Sequence, residues 1–185
     1  ACYKSAELVR LLTKAGATVQ VVMTEGATHF VGAATFQALS GRPVRSSLWD
    51  EAAEAAMSHI ELARWATRIL IAPASADLIA RLAHGLANDL LTTLCLATDA
   101  PIAIAPAMNR LMWANAATRA NIETLRTRGV SVFGPAEGDA LVSACWLQAP
   151  STMGSSRMAI LPMGFRTADI FMASWRNIVV LLRDS

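Results

Sequence analysis

Three short apolar runs in the sequence end in residues that could contact a ligand. The residues at these ends are 23–25, 72–77 and 105–109, and they are mostly small or hydroxylated. Small residues after a buried strand allow close approach of a ligand, and hydroxyl or amide groups supply a few directed hydrogen bonds. Proline and alanine after a strand are also ordinary loop residues, so each run taken alone has a simple structural interpretation. The three together predict a ligand site if they meet in space.

Hydrophobic periodicity predicts the elements that position these ends. Residues 6–14 have helical spacing, and Gly16 ends that helix before the apolar run 19–23. The alternation recurs, with helices predicted at 51–57, 60–66, 76–83, 90–97 and 116–128 and strands at 69–72, 102–105 and 130–133. Apolar strands without polar alternation, separated by helices, are typical of a parallel sheet covered on both faces. The predicted fold class is therefore α/β, a doubly wound, Rossmann-like (flavodoxin-like) sheet, whose ligands bind beyond the carboxyl ends of the strands.

Composition excludes several classes of protein. The 185 residues are 54% hydrophobic and 16% charged, with a net charge of +2, which disfavours both disorder and nucleic-acid binding. The longest apolar runs fall well short of the roughly 20 residues that span a membrane. Three dispersed cysteines suggest no disulfide framework and no metal site, and they favour a reducing, cytoplasmic setting. The surplus of apolar residues predicts a homo-oligomer.

Four motifs carry a resemblance to a known family. They are PxMNxxMW at residues 106–113, SHIEL at 58–62, APASAD at 72–77 and GLANDLL at 85–91. In this order and spacing, the chain from residue 1 to about 138 resembles the phosphopantothenoylcysteine decarboxylases. These are flavoproteins of coenzyme A biosynthesis, often the N-terminal half of a bifunctional protein.

The resemblance implies an activity and a mechanism. The expected reaction is FMN-dependent decarboxylation of 4'-phospho-N-pantothenoylcysteine to 4'-phosphopantetheine, in a homotrimer or an assembly of trimers. FMN oxidises the cysteinyl thiol to a thioaldehyde, whose C=S bond accepts the electrons as CO2 departs. The resulting enethiolate is then protonated and reduced by the same FMN.

The same resemblance implies three catalytic residues. His59 is expected to act as a general base or electrostatic partner during thiol oxidation, although a lone histidine at a helix start is ordinarily a surface residue. Asn109 is expected to bind the departing carboxylate through a neutral amide, and it also has the position of a helix N-cap. Cys145 fits the acid that protonates the enethiolate, with a structural role as the alternative. His29 and His84 lack such a context and are interpreted as structural.

Further residues are implied for cofactor and substrate. The FMN contacts expected from the resemblance are Thr24, Phe30, Ser75, Ala76, Asp77 and Ala107. The substrate contacts expected are Asn109, Met112 and Ala144. Met112 is at a position where a core role is common, but in this motif it is expected to shape the pocket wall.

Two departures from the family pattern affect these expectations. A first strand and a GGIAAYK-like turn precede the first helix in the family, and here only a tail at residues 1–4 matches, so a central strand and the FMN phosphate loop are expected to be missing. The family's substrate-covering flap, ACGxxGxGRM, corresponds to residues 139–159, where the loss of glycines predicts a stiffer flap. We treat 1–185 as a single FMN-binding domain in which residues 160–185 match nothing expected, with a closing helix predicted at 169–182.

Two other functions remain open from the sequence. One is a peptidyl-cysteine decarboxylase or another flavin decarboxylase of the same superfamily. The other is a non-catalytic FMN-binding regulatory subunit. Retention of His59, Asn109 and Cys145 favours an enzyme, because a binding module could lose all three.

Overall fold

The computed structural model describes residues 2–49, 58–134 and 178–183. Strands and helices alternate along most of this range. In chain order they are α1 (Cys2–Lys14), β1 (Thr18–Met23), α2 (Glu25–Thr28), α3 (Ala33–Ser40), α4 (His59–Trp65), β2 (Arg68–Ala74), α5 (Ala76–His84), α6 (Leu90–Ala97), β3 (Ile102–Pro106), α7 (Arg110–Ala114), α8 (Ala116–Thr127), β4 (Ser131–Val132) and β5 (Ile178–Arg183).

One five-stranded sheet runs through the described part of the chain, in the order β1-β5-β2-β3-β4. Strands β2, β3 and β4 are parallel to one another, whereas β5 is antiparallel to both of its neighbours, β1 and β2. Two antiparallel steps restore the direction, so β1 runs the same way as β2 and β3. The carboxyl ends of these three strands therefore lie at the same edge of the sheet, as the sequence predicted.

Helices pack on both faces of this sheet. One apolar cluster joins it to α4, α5, α6 and α8, and a second cluster joins it to α1, α2 and α3. Successive side chains of a strand point to opposite faces. In β5, for example, Val179 and Leu181 enter the first cluster, while Ile178, Val180 and Leu182 enter the second. Burial on both faces explains why the strands are apolar without alternation, and it confirms the doubly wound α/β class.

Strand β5 corrects two sequence-based predictions. The prediction of a closing helix over residues 169–182 is wrong at its end, because residues 178–182 belong to a strand. The sheet is also mixed rather than wholly parallel. The physical reason is that the apolar, β-branched run Ile178-Val179-Val180 suits a position buried on both faces, and strand pairing on both sides satisfies its main-chain groups.

The position of β5 is central. Six residue pairs join it to β1, from Thr18↔Arg183 to Met23↔Ile178, and four pairs join it to β2. It thus occupies a central place in the sheet, where the resemblance implied that a strand was missing. Because β5 is antiparallel, its first residue, Ile178, lies at the edge where β1 ends.

Local capping signals place most helix boundaries. Ser58 and Glu61 form a reciprocal capping box at the start of α4, and Asp89 with Thr92 does the same for α6. Gly85 ends α5 in the left-handed conformation, at φ 66°, which favours glycine. Helices α2 and α3 were not predicted, because they are short and each has a single buried residue.

The remaining predicted elements agree with the structure within a few residues or lie outside it. The helices predicted at 76–83, 90–97 and 116–128 correspond to α5, α6 and α8. The helix predicted at 51–57 and the flap predicted at 139–159 lie outside the described residues. Among the described helices, each is too short or too polar to cross a bilayer.

The central position of β5 predicts a large effect of trimming its side chains. Leu181 is fully buried, so Leu181→Ala is expected to lower the free energy of unfolding by about 2–5 kcal/mol. Arg183→Ala, at the exposed end of the same strand, is the matched control and is expected to stay within about 0.5 kcal/mol of the parent. Urea unfolding measures both. Equal effects of the two substitutions would contradict the burial of β5.

Candidate functional site

The candidate site lies at the edge where β1, β2 and β3 end. Thr24 follows β1, Ser75 follows β2 and Ala107 follows β3. The Ala107 N–H donates to the Ala74 carbonyl at 3.0 Å, which joins the ends of β2 and β3. Strand β5 separates the ends of β1 and β2 by two strand spacings, roughly 10 Å. The ends of β2 and β3 are therefore adjacent, whereas the end of β1 is separated from them by β5.

The end of β2 leads into the start of α5. Ser75 is buried and caps α5 by accepting the Leu78 N–H at 3.2 Å. Ala76 and Asp77 are then the first two residues of the helix. The Asp77 side chain is 42% exposed, so its carboxylate stays open to solvent. This arrangement offers a carboxylate acceptor on a rigid helix start.

The end of β1 leads into the short helix α2. Thr24 is extended, with φ −72° and ψ 157°, and its carbonyl accepts the Ala27 N–H at 2.9 Å. Ala27 is fully buried and anchors α2 against the sheet. Phe30 follows, and half of its surface is exposed. An exposed aromatic side chain therefore follows α2, the helix at the end of β1.

The start of α1 also lies toward this edge. Helix α1 leads into β1 and runs opposite to it, so its N-terminus faces the edge where β1 ends. The Ser5 hydroxyl donates to the Ala72 carbonyl at 2.7 Å and ties this helix start to β2. Sequence reasoning missed Ser5; the available signal was a serine in the first turn of an otherwise apolar helix face. The N-terminus of a helix of this length favours an anion.

Asn109 presents its amide in a defined orientation. Its Oδ1 accepts the Leu111 N–H at 2.8 Å and caps α7. Because the cap requires the oxygen, the Nδ2 group points away from the helix, and it makes no hydrogen bond within the described residues. Asn109 is exposed, and Met112 is 36% exposed on the same helix. The cap interpretation of Asn109 is confirmed, and a donor remains for a ligand.

His59 lies on a different element from the strand ends. It is the first residue of α4, directly after the Ser58 cap, and it is half-buried. Helix α4 leads into β2 and runs opposite to it, so it begins toward the edge where β2 ends. Of the predicted site residues, Cys145 and Ala144 lie outside the described part of the chain.

The buried cysteine Cys95 is unsuited to catalysis. Burial raises the pKa of the Cys95 thiol to about 12, and the negative charge of Asp89 adds to this shift. The thiol is therefore protonated and unreactive at neutral pH. Cys95 lies in the wall of a cavity of about 360 Å³ formed by the C-terminal ends of α5, α6 and α8, far along the sheet from the candidate site. No group of three or more metal-ligating side chains occurs among the described residues.

Comparison with known proteins gives close relatives. The chain is 57% identical over 158 residues to the coenzyme A biosynthesis bifunctional protein CoaBC of Vibrio vulnificus, covering 85% of this chain and 37% of that protein. It is 52% identical over 158 residues to the protein of the same name from Escherichia coli, with the same coverage of 85% and 37%. The chain thus spans less than two-fifths of the length of these relatives.

Solved structures share the fold. One is a PPC decarboxylase mutant complexed with pantothenoylaminoethenethiol, with a TM-score of 0.62, 33% identity and coverage of 72% of this chain and 75% of that one. Another is the FMN-dependent cysteine decarboxylase TvaF from thioviridamide biosynthesis, with a TM-score of 0.64, 26% identity and coverage of 71% and 81%.

The family assignment rests on most of the sequence. Residues 1–155 match the Flavoprotein family, and this range includes every strand end that forms the candidate site. The two bifunctional relatives are each more than half identical to this chain over 158 residues. This chain therefore belongs to the Flavoprotein family.

Proposed function

We propose that this chain binds FMN and decarboxylates 4'-phospho-N-pantothenoylcysteine to 4'-phosphopantetheine. The observation that carries the proposal is the outward amide of Asn109 beside the joined ends of β2 and β3. Two findings support the substrate. The close relatives are named for coenzyme A biosynthesis, and one structural neighbour is complexed with pantothenoylaminoethenethiol.

The strand ends fit a flavin. Phe30 offers an exposed ring for an aromatic system, and Asp77 offers an open acceptor for hydroxyl or N–H donors. Ala76 and Ala107 have small side chains that allow close approach to the backbone. Thr24 and Ser75 add hydroxyl groups at the ends of β1 and β2. We assign these six residues to FMN.

The start of α1 fits the cofactor's phosphate. Its first turn carries Lys4, and Ser5 fixes the helix start against β2. The backbone N–H groups of a helix's first turn and the positive end of the helix dipole both favour a phosphate there.

The chain's own residues perform the remaining chemistry. FMN held there would supply a two-electron acceptor for the substrate thiol and the electrons for the final reduction. His59 takes the thiol proton, and Asn109 Nδ2 donates a hydrogen bond to the substrate carboxylate. A neutral amide orients that carboxylate without an ion pair, which would stabilise the ground state more than the transition state. Met112 forms part of the pocket wall, and Cys145 and Ala144 remain sequence-based predictions for the substrate side.

We also propose a homotrimer or an assembly of trimers in the cytoplasm. Ile60 is 46% exposed beside His59, and Leu111 is 70% exposed beside Asn109. Exposed apolar side chains next to both proposed catalytic residues support a subunit boundary at the site. The dispersed cysteines fit a reducing compartment.

Cofactor and substrate are tested together. FMN titrated into cofactor-free protein is expected to give a saturable change in the flavin spectrum, and the loaded protein is expected to release CO2 from 4'-phospho-N-pantothenoylcysteine. No spectral change would contradict the proposal. Release of CO2 from a peptide ending in cysteine alone would identify a peptidyl-cysteine decarboxylase, and FMN binding without CO2 release would identify a regulatory subunit. Light scattering on the same sample tests the assembly, which a stable monomer would contradict.

Asn109→Asp separates capping from catalysis. Aspartate caps a helix as well as asparagine does, but it has no N–H donor and repels a carboxylate. We expect stability and FMN affinity near those of the parent and a decarboxylation rate at least tenfold lower, because a hydrogen bond to a charged group is worth roughly 1.5–3 kcal/mol. Asn115→Asp is the matched control, since Asn115 caps α8 in the same way, with 2.9 Å from the Ala117 N–H to its Oδ1. Equal rates in the two variants would remove Asn109 from the mechanism.

His59→Asn tests proton removal from the thiol. The variant is expected to bind FMN normally and to bleach it at least 100-fold more slowly when substrate is added, because general base catalysis contributes about 10²–10⁴-fold. Stopped-flow absorbance of the flavin measures this rate. His84→Asn, at the far end of α5, is the control and is expected to bleach at the parent rate. Parent-like bleaching in His59→Asn would assign the base elsewhere.

A further inference from the structure

The side chain of Arg81 lies between two acidic residues, Asp77 at the start of α5 and Asp89 at the start of α6. Its Nη1 lies 2.8 Å from Asp89 Oδ2 and 3.9 Å from Asp77 Oδ2. Only 20% of the Arg81 side chain is exposed, compared with 42% for Asp77. The guanidinium is thus held in the structure, whereas the Asp77 carboxylate is open to a ligand.

The GLANDLL motif orients this guanidinium. Arg81 Nη2 donates to Asn88 Oδ1, and Nη1 pairs with Asp89. Asp89 is itself fixed, because its Oδ1 accepts the Thr92 N–H at 2.8 Å and caps α6. Two anchored partners on a planar, five-donor group define its direction. The remaining interaction of that group is with Asp77, one helical turn earlier on α5.

We propose that Arg81 is a positioning residue for Asp77, holding its carboxylate in the orientation that accepts a hydrogen bond from bound FMN. The inference rests on the proposed function and assigns a role to Asn88 and Asp89, which the proposed chemistry leaves unused. Asp77 lies on the exposed side of the helix start, where it would otherwise sample several rotamers. A fixed positive charge at i+4 selects the rotamer that leans toward Arg81.

The alternative is a structural ion pair in which Arg81 merely joins α5 to α6 through Asp89. A double-mutant cycle separates the two roles, because an effect exerted through Asp77 disappears when Asp77 is removed. The variants are Arg81→Gln, Asp77→Asn and the combination, and the measurement is the FMN dissociation constant by flavin fluorescence. Arg81→Gln is expected to raise that constant about fivefold in the parent and less than twofold in the Asp77→Asn background.

Further variants keep the test decisive. Arg81→Lys keeps the charge but cannot reproduce the two-point anchoring by Asn88 and Asp89, so it is expected to raise the dissociation constant less than Arg81→Gln does. If Arg81→Gln does not fold, Asn88→Ala replaces it in the cycle, because it loosens the guanidinium while leaving the Asp89 pair and cap intact. Arg126→Gln is the matched control, since Arg126 pairs with Glu123 at 3.7 Å on the exposed surface of α8.

The outcomes are distinct. An effect of Arg81→Gln that persists in the Asp77→Asn background, or no effect in either background, overturns the positioning role while leaving FMN binding intact. A parent protein that does not bind FMN overturns both the proposed function and this inference.

Discussion

The pairing of β5 with both β1 and β2 is the constraint on which the rest of the structure depends. These two neighbours carry Thr24 and Ser75 at their ends, and β5 sets the spacing between them. Its five apolar side chains are divided between the two clusters that hold the helices on either face. A single strand thus contributes to the sheet, to both cores and to the geometry of the candidate site.

Helix caps are the second recurring device. Ser75, Asn109 and Asp89 each accept an N–H from the first turn of their helix, which holds the side chain in one direction. The atom of the side chain that does not cap the helix then has a defined direction. Asn109 keeps its Nδ2 donor, and Asp89 keeps Oδ2 for Arg81. Local backbone requirements thereby orient polar side chains that a ligand can use, without further packing around them. Orientation by a helix cap suits a site at a solvent-facing edge, because few neighbouring side chains are available there to fix a rotamer.

The two edges of the sheet differ in their chemistry. At the carboxyl edge, helix starts bring N–H groups, hydroxyls and an open carboxylate, which suit a polar, phosphorylated ligand. At the opposite edge, the ends of α5, α6 and α8 line a cavity with both polar and apolar residues, and burial keeps the Cys95 thiol protonated. Helices α1, α4 and α5 begin at the first edge, because each runs opposite to the strand next to it in the chain. Their N-termini therefore face that edge. We assign the proposed flavin binding and decarboxylation to the first edge for that reason.

The sequence by itself determined the features that depend on neighbours along the chain. Periodicity predicted α5, α6 and α8 and the three apolar strands, and the turns after those strands pointed to the ligand edge. Motif spacing selected Asn109, which caps a helix, and His59, which begins one, and both positions are local properties. What only the tertiary structure decided are contacts between distant residues. Residues 178–182 were predicted to be helical because their apolar run fits either period, and pairing with β1 and β2, more than 100 residues away, makes them a strand. The bonds from Ser5 to Ala72 and from Arg81 to Asp89 likewise join separate elements, and no local pattern encodes which partner each side chain meets.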